Sequence, residues 1–229
     1  MAAPATHIVL TDKIYDKYFP GFGIDRKKFY IGTLFPDIYK IVEKTERPQT
    51  HLKKFSLKDH FSMAEIQGEN SFRAGIKFHS LLDEIRENFI ITQDAYSIFP
   101  DSDYSYTFPI KFAEDCLLYQ KRKDWNEILS FLKSIIGEER QTGISQEGLE
   151  KWHNLLKKYL SETPSVENVV LFLEKYNIAR KYIASIQKDL ELVLKSDFSM
   201  SIIEKLYNGF EKLLEKELVR QAKKDIVFE

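Results

Sequence analysis

The sequence predicts an all-α fold, a compact multi-helix domain over residues 1–229. Apolar residues recur three and four apart in one segment after another, the spacing of a helix face. Nowhere is there a sustained two-residue alternation rich in valine and threonine, so no sheet is required. With 43% hydrophobic and 30% charged residues, the 229-residue chain has enough apolar material for one sizeable core and little reason for extensive disorder.

Taken in order, the first helix is expected from about Thr6 to Tyr18, where Leu10, Ile14 and Tyr18 share a face with His7. Pro20, Gly21 and Gly23 end it. In "KFYIGTLFPDIYKIVE", Pro36 suits the first turn of a new helix and sets Asp37 near unpaired backbone N–H groups. Residues 44–62 are polar and irregular, with Pro48 and His51 among them.

A long helix follows over Ser71 to Ile91. At 100° per residue, Phe72, Ile76, His79, Asp83 and Ile90 fall in one narrow sector, which Gly75, Leu82 and Phe89 widen. Two prolines make residues 94–110 a loop. Helices resume over Lys111 to Arg122 and Trp125 to Ile136, and 137–147 is the one candidate joint between subdomains. The last candidates span 147–160, 166–195 and 199–222, with Pro164 marking a start. Motifs thus concentrate in 4–91, and 111–222 supplies supporting helices.

A formal charge of −1 offers no broad basic surface for nucleic acid or acidic membranes, although a nucleic-acid substrate is not excluded. A single cysteine, Cys116, rules out an intramolecular disulfide and a cysteine-based zinc framework. Asp12, Lys13 and Asp16 interrupt the N-terminal apolar stretch, so neither a secretory leader nor a transmembrane segment is expected and cytoplasm is the default location. Nothing in the sequence indicates an oligomeric state.

The stretch "GIKFHSLLDEI" turns His79 and Asp83 inward one helical turn apart, where a carboxylate is costly unless paired or metal-bound. An ordinary pair, with Asp83 accepting from His79, Arg73 or Arg86, satisfies it without a metal. Four of the five histidines, His7, His51, His60 and His79, lie in the first eighty residues, and only His153 lies beyond. With Asp37 and Asp83, the residues His7, His51 and His79 supply the imidazole nitrogens and carboxylate oxygens that zinc or a similar ion requires. Five candidates can hold one divalent ion or share two. His7 as a core histidine and Asp37 as a helix-start carboxylate are the readings without chemistry.

The ordered run "PATHIVL", "IGTLFPDIY", His51 and "AGIKFHSLLD" resembles the zinc-dependent phospholipase C and P1 nuclease superfamily, in particular its smaller branch. The resemblance covers residues 4 to about 91. It implies a helical bundle with metals in a cleft, His7 as an N-terminal ligand, Asp37 as the bridging or catalytic aspartate, His51 as the next ligand, and His79 with Asp83 as the His-x-x-x-Asp pair. Asp115 or its neighbour Glu114 adds an oxygen ligand on this reading, or else Asp115 caps or salt-bridges. His60 is a supporting or phosphate-facing candidate. With only His153 after His79, a full three-zinc cluster is not expected.

The function implied is metal-dependent hydrolysis of phosphoesters, phospholipid headgroup phosphodiesters first, with one or two divalent ions and zinc foremost. The competing class is a non-catalytic helical protein with a metal-stabilised core. Arg73 and Arg86 are expected at the surface, Tyr96, Tyr104, Tyr106 and Phe108 as candidate pocket walls, Trp125 and Trp152 in the core, and the Lys and Glu runs of 211–224 on a solvated face.

Overall fold

Glycines decide which two helices come closest. A Cβ placed on Gly32 would stand 2.1 Å from the Phe72 carbonyl oxygen, and one on Gly75 would stand 2.1 Å from that of Phe29. Only bare backbone fits there, so the helices α2 (Arg26–Leu34) and α5 (Ser71–Thr92) pack main chain against main chain. Their starts are joined as well: the Asp25 side chain caps α2 by accepting from Lys28 N–H, while the Asp25 N–H donates to Ser71 Oγ at 2.8 Å. The two helices run in the same sense with matched four-residue steps.

The computed structural model describes residues 3–52, 63–93, 107–176 and 178–226. All regular structure among them is helical: α1 (Pro4–Tyr18), α2, a 3-10 turn over Pro36–Lys40, α3 (Arg47–His51), α4 (Met63–Gln67), α5, α6 (Thr107–Tyr119), α7 (Asn126–Phe131), α8 (Gly137–Arg140), α9 (Gln146–Leu160), α10 (Val166–Leu173), α11 (Arg180–Lys195) and α12 (Asp197–Ile226). Among the described residues no helix is long and apolar enough to cross a membrane. His60, Tyr96, Tyr104 and Tyr106 lie outside the described residues.

α5 is enclosed on nearly every side. Phe72, Ile76, Phe78, Leu81, Leu82 and Ile85 are buried, and so are His79, Asp83 and Arg86. Burying each large apolar side chain contributes about 1.5–3 kcal/mol, which can offset the cost of enclosing polar groups beside them. One apolar cluster runs without interruption from Ala3 to Leu218 and includes Trp125 and Trp152, as expected of both.

Several boundaries differ from the sequence reading. Residues 26–34 are helical and precede a 3-10 turn where a second helix was expected at Pro36. α3 is a short helix inside the polar stretch 44–62, made possible because Glu46 N–H donates to Gln49 Oε1 at 2.7 Å. α6 begins at Thr107, inside the expected loop, since Pro109 in a first turn lacks only an N–H that would have no intrahelical partner. The 166–195 candidate is two helices, because tight turns such as Tyr176 N–H to Leu173 O replace the helical ladder after Leu173. Arg86 is buried, not at the surface, and both its Nε and Nη2 bond Glu114 Oε2, at 2.9 and 2.7 Å. Arg73 is exposed and pairs with Glu69 at 3.0 Å.

Candidate metal centre

Five of the six candidate ligands converge. His7 comes from α1, Asp37 from the 3-10 turn, His51 from the last residue of α3, and His79 with Asp83 from α5; each is at most 3% exposed. Asp83 is the hub. Its Oδ1 lies 3.4 Å from His7 Nε2, and its Oδ2 lies 3.3 Å from His79 Nε2 and 3.8 Å from His51 Nε2. Four ligands about 2.1 Å from a tetrahedral ion stand about 3.4 Å from one another, so these separations could accommodate an ion. Two groups have ligand atoms all within 4.8 Å of one another: His7, His79 and Asp83, and Asp37, His51 and His79.

Backbone carbonyls set the direction of two rings. Nδ1–H of His79 donates to Thr33 O at 2.8 Å, and His51 Nδ1 lies 3.1 Å from both Arg47 O and Thr50 Oγ1. A carbonyl can only accept, so a neutral His79 carries its lone pair on Nε2, the form that ligates a metal, and the Arg47 carbonyl favours the same form of His51. Those Nε2 atoms, and both nitrogens of His7, are buried without a hydrogen-bond partner. His7 and His79 stack with ring centroids 4.0 Å apart, and His51 meets His79 edge-on at 5.0 Å.

The electrostatics favour ligands over charged pairs. Burial, with the neighbouring His79, pushes the His7 imidazole down to about 4; burial, His79 and Arg47 push His51 further down, to about 2. Both are therefore neutral near pH 7, as coordination requires. Burial alone would raise the carboxyl groups of Asp37 and Asp83, but nearby positive charge prevails and holds both below the usual carboxylate range. For Asp37 that charge comes first from Lys40, 2.5 Å away. Arg47 Nη2 approaches Asp83 Oδ2 at 3.4 Å.

His79 belongs to both groups but has one uncommitted nitrogen, so it can ligate only one ion at a time. A second ion would rest on Asp37 and His51.

Asp115 belongs to neither group. Its Oδ2 accepts from Ala5 N–H at 2.9 Å and Tyr159 Oη at 3.0 Å, and its Oδ1 accepts from Thr6 N–H at 2.7 Å and Thr6 Oγ1 at 2.6 Å. It thereby caps α1 from α6, in place of the missing side-chain cap at Ala3, and fixes the turn that carries His7. Burial raises this carboxyl to about 6. Glu114 is occupied by Arg86. Three groups escaped the sequence reading: Lys40, Arg47 and Lys111. Lys40 follows Asp37 by three residues and Lys111 precedes Asp115 by four, spacings that put each pair on one helical face.

No family model, curated protein or solved structure matches this chain.

Proposed function

We propose that this chain binds one divalent metal ion, with room for a second through a carboxylate bridge, and uses it to hydrolyse phosphoesters. One observation carries the metal: the Nε2 atoms of His51 and His79 face the Asp83 carboxylate across 3.3–3.8 Å, buried and without a hydrogen-bond partner. A neutral imidazole lone pair and a carboxylate at that distance repel unless a cation sits between them. Mixed imidazole and carboxylate ligands suit zinc first.

The phosphoester reading draws on the resemblance to the zinc-dependent phospholipase C and P1 nuclease superfamily, whose residues here are the ones that converge. A bound divalent ion supplies polarisation of a phosphoryl oxygen and a more acidic water. Three protein ligands leave a tetrahedral ion one open position. Asp37 is the candidate proton acceptor or bridging ligand. Its Oδ1 stands 2.5 Å from the Lys40 ammonium, which keeps the carboxyl ionised.

The second reading, a metal that only stabilises the core, is favoured by the burial of all five ligands. Elemental analysis of native, unsupplemented protein comes first, and about one or two zinc equivalents are expected. Protein that takes up no zinc, manganese or iron defeats both readings. Metal-loaded protein is then assayed on phospholipids, nucleic acid and small phosphoesters. Activity that falls about 100-fold or more in Asp37→Asn at unchanged metal content supports catalysis. A folded, metal-loaded protein inert towards all three leaves the structural reading.

A further inference from the structure

A groove with an apolar floor and a cationic rim runs along α9 and α10. On α9, Lys151, Asn154, Leu155 and Lys158 fall on one helical face. Asn168, Leu171, Phe172 and Lys175 repeat that spacing along α10 and just past its end. These faces line a hollow of about 120 Å³, walled by Leu155, Tyr159, Leu171 and Phe172, and a hollow of about 560 Å³ that reaches Ile41. Leu155, Lys158 and Lys175 line both, so the two are continuous. None of the lining residues is a ligand in the metal centre.

The two ends differ in character. At the smaller hollow, Tyr159 and Phe172 form a buried floor, Leu155 is half-buried and Leu171 is 38% exposed. A cavity of about 150 Å³ holds benzene, so this end takes a chain of roughly six carbons. The larger hollow is cationic: Lys151, Lys158 and Lys175 line it, and no carboxylate does. Lys151 is engaged by Glu147 at 2.7 Å, with Glu43 also acting on it. Lys158 and Lys175 form no ion pair with a described residue. Glu162 is the one carboxylate in the lining, at the smaller hollow. Glu150, Glu167 and Glu174 lie about a quarter turn off these helix faces and outside the lining. Lys158 and Lys175 against Glu162 leave one cation in the groove unbalanced.

We propose that this groove binds a medium-chain aliphatic carboxylate, its chain against Leu155, Leu171 and Phe172 and its carboxylate between the Lys158 and Lys175 ammonium groups. An apolar end joined to an end with one unbalanced cation is complementary to an amphiphile carrying a single negative charge. Size favours a small molecule, because the larger hollow falls in the range of about 300–1,000 Å³ typical of such sites. The lysine stems add hydrocarbon cover while their charged heads stay in water. The site is separate from the metal centre and does not depend on the metal reading.

The test uses the full-length protein and calorimetry with octanoate below its micelle concentration, beside hexanoate, 1-octanol and octylamine. Octanoate is expected to saturate one site and to bind about tenfold tighter than hexanoate, since each buried methylene is worth about fourfold. 1-Octanol, which has the same chain without the charge, should bind about fivefold weaker than octanoate, the yield of exposed charge pairs, and octylamine weaker still. Lys158→Gln combined with Lys175→Gln should lower octanoate to the affinity of 1-octanol at unchanged helicity, because both side chains are exposed. Absence of saturable octanoate binding overturns the proposal, as it would if a protein segment or a second copy of the chain filled the groove. So does 1-octanol or octylamine binding as tightly as octanoate. Full affinity in the folded double variant overturns it too, by placing the amphiphile elsewhere. Should the double variant not fold, Leu171→Glu, which sets a carboxylate at the apolar end, is read instead, and unchanged octanoate affinity there overturns the proposal.

Discussion

Two places among the described residues bury histidine against a carboxylate, and they differ in one respect. Between α8 and α9, His153 Nδ1 lies 3.2 Å from Leu132 O and Nε2 lies 2.7 Å from Glu139 Oε1, both within hydrogen-bond reach. Glu139 Oε2 accepts from Ile136 N–H at 3.0 Å. Both ring nitrogens and both carboxylate oxygens are used. Around Asp83, three rings converge on one carboxylate and their Nε2 atoms have no hydrogen-bond partner. Burial and residue type are the same in both places. What makes the second able to hold a metal is three ring nitrogens without a hydrogen-bond partner around one carboxylate, since buried polar groups are otherwise satisfied.

The comparison breaks most directly at Asp83. If the cluster is a coordination shell, Asp83→Asn or His79→Gln removes a ligand, and each ligand of a zinc site worth about 10–16 kcal/mol accounts for about 3–4 kcal/mol. Metal affinity should fall roughly 100- to 1000-fold in either variant. Competition with a chromophoric chelator measures this. Retained affinity would place both rings and carboxylate among ordinary core pairs like His153 and Glu139.

A smaller effect is expected at Gly75, which touches no ligand. An alanine there must push α2 away from α5, because the added carbon would meet the Phe29 carbonyl oxygen and the Thr33 amide. Overpacking of this kind costs about 3 kcal/mol. It also moves Thr33 O, which sets the His79 ring, so metal affinity should fall about tenfold as for other supporting groups. Thermal denaturation with and without metal separates the two losses. A Gly75→Ala protein of unchanged stability would mean that the helices have slack at the crossing.

Legibility in the sequence followed periodicity. α5 announced itself, because a sector of apolar residues with His79 and Asp83 in it has one sensible orientation. The all-helical character followed from the same spacing. His7, Asp37 and His51 were found as residue types in an order, and their meeting depends on long-range packing that no local window contains. The α2 to α5 contact was hidden for a related reason: Gly32 and Gly75 are ordinary helix-weakening residues until the partner backbone is known. Lys111 was the hardest to see, because lysine in a helix is normally solvated and its burial is a property of the surrounding helices. Asp115 was legible as a carboxylate of consequence, while its partners, the N–H groups of Ala5 and Thr6, lie more than a hundred residues away.

The smallest effect on metal is expected at His153, and it sharpens the comparison from the other side. His153→Leu removes the partner of Glu139 Oε1, a fully buried carboxylate oxygen, and leaves the Leu132 carbonyl without its donor. An orphaned buried acceptor costs about 2 kcal/mol, so denaturant unfolding should show a lower midpoint. The pair shares no partner with Asp83, His7, His51 or His79, and distant independent sites act additively, so metal affinity should stay within about twofold of the unsubstituted protein. The decisive quantity is the ratio of the two losses. If His153→Leu lost metal in proportion to stability, and Asp83→Asn did the same, metal uptake would simply follow folding at both places and the unpaired lone pairs around Asp83 would carry no special meaning. A protein that loses stability but keeps its metal in the first variant, and loses metal in excess of stability in the second, separates a satisfied pair from a ligand set.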